Sequence, residues 1–383
     1  MLRKVAIIGL GRTQLRKETN ELSYKELMYE AAVKAYEDCG LNAREDIDSF
    51  VCSSEDFLEG TSIFDEYVPD PIGGAKKPTC TIGADSGFAL ITAYMQILTG
   101  IVDTALVEAH SKASEILSLP HIISLAQEPI IDRVLGLHPY YIAGLEMNRF
   151  LYETKVKRKD TAYVVKKNKG NALFNPYAAY GAKLEIEDVL NSKCSFYPLS
   201  TLDISKFVDG ATVLILVSEE KAKKIEREPI WIKGVGWAND SFALDSRNWA
   251  SAKYALLSAN TAYGRAKIRN PKKELDFVEV DDTFSYKELQ HVCALNLFKK
   301  NEIKNSLEET SISGRIPVNP SGGSLGCGYS FCMSGIQRVA EAIAQLRGEA
   351  GRNQIDDAEN CAVQCWSGIP TSSGSVFILS RRK

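Results

Sequence analysis

The same order of elements is written twice along these 383 residues, and that repetition limits the fold more than composition does. In the first half an apolar strand, VAIIGLG, precedes the helix ELSYKELMYEAAVKAYEDCG, whose apolar residues recur at helical spacing and whose Gly40 gives a stop. The strand DIDSFVC follows, then TCTIGADSG, which reads as a strand and a small-residue elbow, then the helix FALITAYMQILTG and the strand TALVEAH. In the second half the helix ASAKYALLSANTAYGRAKI leads to the strand ELDFVEV, the glycine-rich turn SGGSLGCGYSFCMSG, the helix IQRVAEAIAQLRG and the strand CAVQCWSG. Alternating strands and helices place the chain in the α/β class, and the period is far too long for a solenoid. The expectation is two similar halves, 1–225 and 226–383, each with a mostly parallel sheet, packed as a pseudo-twofold pair. Residues from about 111 to 200 belong to neither repeat; they read as mainly helical, a cap inserted in the first half at a substrate entrance.

Charge and composition exclude several function classes. A formal charge of −3 from well-mixed signs leaves no basic stripe, so no nucleic-acid partner is expected. No run approaches a membrane span, and the opening MLRKVAIIGLG reads as a first strand rather than a signal peptide. Nine cysteines without regular spacing argue for reduced thiols in a cytoplasm, and four histidines, none paired with cysteines at zinc-ligand spacing, give no metal site. The GLGRTQ stretch lacks the third glycine and the later acidic residue of a dinucleotide fingerprint, so it reads as a strand-to-loop turn and no nucleotide redox cofactor is expected.

The segment NPSGGSLGCGYSFCMSG, residues 319–335, is the most specific feature, because repeated glycines before a helix let backbone approach a ligand and leave amides at a positive helix end. NPSGG, four further residues, Gly328 and a helix ending QLRG resemble the C-terminal motif of thiolases, which runs from an asparagine through a glycine pair to Gly-His-Pro. FVDGATVLILVSEEKA resembles the family's DGA strand, EVDDTF its His-Asp-Ala-Phe segment, and ILTGIVDTALVEA the strand after the nucleophile helix. The resemblance covers nearly the whole chain and is nearest to sterol-carrier-type thiolase-like proteins of archaea and bacteria. It implies the thiolase fold, two βαβαβαββ halves in five layers, usually a homodimer, with a coenzyme A thioester as substrate entering under the cap.

The departures from the family bear on chemistry. The nucleophilic cysteine aligns with Ala84 when anchored on Ser86-Gly87, or with Gly83 when anchored on Gly100. Tyr329 stands for the Gly-His-Pro histidine, and Asp281, followed by Asp282, stands for the histidine of the His-Asp segment. A thiolase needs a thiolate and a base to make it. The polar groups left at these positions, Tyr329, Asp281 and Asp85, are the candidate catalytic residues. Gly322, Gly323, Gly328 and Ser86 are the candidate thioester-binding positions, with His138, Lys166 and Lys167 near a tunnel mouth. Cysteine-less aldolases of this superfamily carry a tyrosine where Tyr329 stands and work with a small zinc-binding OB-fold partner; they differ at Asp281, where they have a second tyrosine. The resemblance thus implies a retro-aldol lyase acting on a β-hydroxyacyl-CoA. Two alternatives stand beside it: an acyltransferase using a displaced Cys80, Cys327, Cys332 or Cys365, and a non-catalytic acyl-CoA-binding subunit.

Overall fold

In the computed structural model, which describes residues 3–60, 63–116, 118–241, 243–305, 307–368 and 373–383, the two repeats share one sheet. Its strands are β1 Val5–Arg12, β2 Ser49–Ser53, β3 Thr79–Ile82, β4 Thr104–Lys112, β5 Asp209–Ser218, β6 Ile230–Asn239, β7 Phe277–Glu279, β8 Asn360–Trp366 and β9 Ser373–Ser380. The order across the sheet is β3-β2-β4-β5-β1-β6-β9-β8-β7. Read outward from its centre the two arms match, β1-β5-β4-β2-β3 against β6-β9-β8-β7, and a parallel bridge from Val278 to Val318 stands where β3 stands in the first arm. The pseudo-twofold axis therefore runs between β1 and β6, which pair antiparallel with Ala6 opposite Trp231.

The expectation of mostly parallel halves holds by strand direction, with one reversed strand in each half. Neighbours β2–β3, β2–β4 and β7–β8 pair parallel, whereas β5 is reversed between β4 and β1, and β9 between β8 and β6. Strands buried on both faces read as unbroken apolar runs in either direction, so their sequences do not carry the sense of pairing.

The main helices are α1 Tyr24–Cys39, α2 Ser86–Thr99, α3 Pro139–Thr154, α4 Arg158–Ala172, α5 Lys253–Ala266, α6 Ser285–Ala294 and α7 Ser334–Leu346. α1 stops at Gly40 with φ 70°, as the sequence predicts, and starts in a capping box of Ser23 with Glu26. Side-chain alternation along the strands sorts the core into layers: Val5 and Ile7 join α2 and α7 in a central cluster, while Ala6 and Ile8 face α1 on the other side. A third cluster gathers α3, α4, α5 and α6 on the outer face of the second arm. Three cores around two arms of sheet make five layers. α7, at the centre, is buried along its whole length. The segment between β4 and β5 is mainly helical, carrying α3 and α4, in line with the expected cap. Among the described residues no helix is long and apolar enough to cross a membrane.

The glycines of GLGRTQ have a packing role that recurs in the second repeat. A Cβ on Gly11 would lie 1.9 Å from the Ala31 carbonyl oxygen of α1, and one on Gly236 would lie 2.0 Å from the Ser258 carbonyl oxygen of α5. Each repeat thus seats its outer helix directly on strand backbone. Gly11→Ala and Gly236→Ala should each destabilise the chain by about 1–3 kcal/mol or more, measured as a lowered urea midpoint. Gly264→Ala, on α5 with open space around it, should instead gain up to about 1 kcal/mol.

Candidate active site

The elbow after β3 is held by its own carboxylate. Asp85 caps α2 by accepting the Gly87 N–H at 2.9 Å on Oδ1, and its Oδ2 accepts the Gly335 N–H at the start of α7, also at 2.9 Å. Ser86 Oγ accepts the Ile336 N–H at 2.9 Å. The first repeat therefore caps the matching helix of the second. The approach is so close that a Cβ on Gly335 would fall 2.2 Å from Asp85 Oδ1, which makes glycine obligatory there. Burial pushes the Asp85 carboxyl up to about 7, with Asp281 adding to the rise and the two amides and Arg338 opposing it.

Tyr329 faces the elbow from the second repeat. Gly328, with φ 117°, turns the chain into a short strand-like stretch in which the Tyr329 N–H donates to Lys206 O at 2.8 Å and its carbonyl accepts the Val208 N–H at 3.1 Å. Phe207 and Phe331 stack on each other at 4.6 Å and together pack against one side of the ring, with centroids at 5.7 and 5.5 Å from it. The phenol points toward Gly368, where a Cβ would lie 2.9 Å from its oxygen. Burial, then the charges of Asp281 and other neighbours, raises its pKa well above the ordinary tyrosine value, so the hydroxyl keeps its proton.

Asp85 and Tyr329 open onto one pocket of about 610 Å³, mouth included, which also takes in Glu55, Tyr140, Phe284 and Cys332. Ile123 and Ala126, from the cap, form part of its wall. The elbow, the Tyr329 loop and the cap thus meet as the sequence implies.

The other sequence candidates lie elsewhere. Asp281 is fully buried behind the pocket, where it accepts the Thr283 N–H at 3.0 Å and pairs with Arg338, itself bonded to Ser324 Oγ at 2.7 Å. Asp282 turns away to take the Ser324 and Leu325 amides and the Asn168 side chain. The expected thioester role of the glycine loop is not what its geometry offers: Gly322 N–H donates to Asn319 O, Gly323 N–H to Ser321 Oγ and Gly328 N–H to Ser324 O. These glycines allow close packing instead, since a Cβ on Gly322 would lie 2.6 Å from the Ala172 side chain of α4 and one on Gly328 2.3 Å from Val208.

The basic cluster is likewise divided. Lys166 is exposed and pairs with Glu185 at 2.6 Å, whereas Lys167 turns inward to Glu288 at 2.8 Å and Val318 O at 2.8 Å, which removes its charge from any tunnel mouth. His138 caps α3, its Nδ1 accepting the Tyr140 N–H at 3.1 Å while its ring stacks on Phe196. It orients the chain that carries Tyr140 and lies off the pocket wall.

Among the four candidate thiols only Cys332 lines the pocket. Burial, followed by the charges of Glu55, Glu59 and Asp85, raises its pKa well above that of a free thiol. Cys80, Cys327 and Cys365 are also raised by burial. None of the four is a ready thiolate.

Sequence reasoning missed Glu55. It follows β2 and stands at the start of the short helix Asp56–Glu59, but its side chain makes no cap bond and lines the pocket. Its signal was a carboxylate just past the C-terminal end of a parallel strand, where α/β folds bind ligands. Burial pushes its pKa up to about 7. A carboxyl raised in the folded state holds a proton that the unfolded chain has released, so its contribution to stability is fully present at acid pH and is lost as pH rises through about 7. Glu55→Gln cannot ionise. Its melting temperature should match the wild type near pH 4.5 and exceed it at pH 8 by scanning calorimetry; a gap independent of pH would mean that Glu55 titrates as a solvated carboxylate.

Comparison with known proteins gives the family and the fold. Residues 236–381 match the family described as thiolase C-terminal domain-like. The chain is 30% identical over 368 residues, 94% of each protein, to an acetyl-CoA acetyltransferase of Methanothermobacter thermautotrophicus. It is 27% identical over 389 residues, 96% of each, to a steroid side-chain-cleaving aldolase of Thermomonospora curvata. The solved structure of an "Ltp2-ChsH2(DUF35) aldolase" shares the fold, with a TM-score of 0.85 at 24% identity across 99% of this chain and 98% of that one.

Proposed function

The chain belongs to the thiolase superfamily of acyl-CoA enzymes, and on that premise we propose that it cleaves a β-hydroxyacyl-CoA by a retro-aldol reaction. The observation that carries the reading is a pocket furnished with a protonated phenol and two carboxyls, Asp85 and Glu55, but no activated thiol. In this reaction a base takes the β-hydroxyl proton, the C–O bond becomes a carbonyl, and the Cα–Cβ bond breaks. Its electron pair enters the thioester as an enolate, which a proton at Cα converts to the shortened acyl-CoA. No acyl-enzyme forms, so no nucleophile is required.

Tyr329 is suited to the enolate oxygen. A phenol whose pKa lies well above neutrality donates a strong hydrogen bond without giving up its proton in the ground state, and a donor aimed at developing charge is worth about 3 kcal/mol. Asp281 has no direct part in this scheme, because Arg338 and Thr283 occupy its carboxylate. Acyl-CoA is the ligand on this reading, and a small partner protein is proposed by analogy with the two components named in the related aldolase structure.

A second reading, acyl transfer through Cys332, is favoured by that thiol's place on the pocket wall and by the acetyltransferase relative. The two readings separate by mutation. Tyr329→Phe should lower release of the carbonyl product and the shortened acyl-CoA, followed by mass spectrometry, about a hundredfold or more, with acyl-CoA affinity nearly unchanged. Cys332→Ala should remain active. A dead Cys332→Ala beside an active Tyr329→Phe, with an acyl adduct on Cys332 after exposure to acetyl-CoA, would establish acyl transfer instead.

A further inference from the structure

We propose that Glu55 is the proton acceptor of this pocket, taking the β-hydroxyl proton and then delivering it to the α carbon. The assignment rests on the retro-aldol reading and adds to it the identity of the base.

Geometry distinguishes Glu55 from the other carboxyls. Both oxygens of Asp85 already take backbone N–H groups from two helix starts, and protonating it would weaken the junction between α2 and α7. Asp281 is held by Arg338 and lies behind the pocket wall. Glu55 carries no such load. It occupies the N-cap position of the short helix Asp56–Glu59 but forms no cap bond. Its carboxyl meets no hydrogen-bond donor among the described residues and opens into the cavity shared with Tyr329.

The groups facing it come from every wall of the pocket: Asp85 from the elbow, Tyr329 and Cys332 from the opposite loop, Tyr140 from the cap, with Glu59 on its own helix. Burial raises Tyr329, Cys332 and Tyr140 so that they keep their protons at physiological pH, and burial alone accounts for the rise of Glu55 to about 7. A base with that pKa is largely ionised above neutrality yet strong enough to accept an alcohol proton as the carbon–carbon bond breaks. The protons balance: the one leaving the hydroxyl ends on the α carbon, and the bond's electron pair passes through the enolate. No water, oxidant or reductant enters.

The test uses the full chain, together with any partner it requires, and a β-hydroxyacyl-CoA. Wild-type kcat/KM should rise with pH through an apparent pKa near 7. Glu55→Gln should lose about a hundredfold or more and lose that acid limb, with acyl-CoA affinity and circular dichroism unchanged; Glu55→Asp should keep the limb at a reduced rate. If Glu55→Gln retains both rate and limb while Tyr329→Phe is inactive, the base lies elsewhere and this assignment is wrong, although the retro-aldol reading survives. If the wild type releases no carbonyl product at all, the reading and the assignment fall together.

Discussion

Two helix N-termini meet head to head at the centre of this protein, and one carboxylate reconciles them. Each helix start presents unsatisfied N–H groups and the positive end of its dipole, so bringing two together away from water is costly unless something acidic lies between. Asp85 accepts an amide from each, and Ser86 accepts a third. The requirement extends outward: Gly335 must lack a side chain, and α7, wholly buried, must find partners for its own polar residues. Arg338 pairs with Asp281, and Glu341 takes Arg12 at 2.7 Å and Asn175 at 3.1 Å.

That arrangement explains how chemistry is divided around the pocket. The elbow, where the superfamily resemblance would put a nucleophile at Ala84 or Gly83, is committed to joining the two repeats. Reactive groups therefore sit on the walls: a phenol on the loop after Gly328 and a carboxyl after β2. Both are raised in pKa by burial, which keeps the phenol a donor and leaves the carboxyl near neutrality. The same burial keeps the Cys332 thiol protonated. A single physical cause, removal of the pocket from water, thus favours proton transfer over nucleophilic catalysis.

The polar interior also shows why glycine and lysine motifs mislead. A glycine-rich loop announces close approach of backbone to something, but in NPSGGSLGCG that something is α4, and in GLG it is α1. The run KKNKG has the composition of a solvated face; in the fold α6 and the stretch around Val318 cover it, so that Lys167 becomes a buried partner of Glu288 while Lys166 stays outside. One removed partner in such a buried pair strands the other charge, which makes these pairs costly to break even where their net contribution is small.

What the sequence determined was local and repeated: α1 with its Gly40 stop, the elbow at Asp85, the two-fold order of strands and helices, the helical cap and the opposition of Tyr329 to the elbow. These follow from spacing, capping residues and duplication, which act between near neighbours or between like segments. Tertiary structure alone decided the antiparallel returns of β5 and β9, the joining of both arms at β1 and β6, the inward turn of Lys167, the internal use of the glycine amides and the exposure of Glu55 to the cavity. Each of those depends on which distant segment covers a residue. Burial by remote chain, the quantity that sets pKa, hydrogen-bond partners and access to substrate, is not written in the residues beside it.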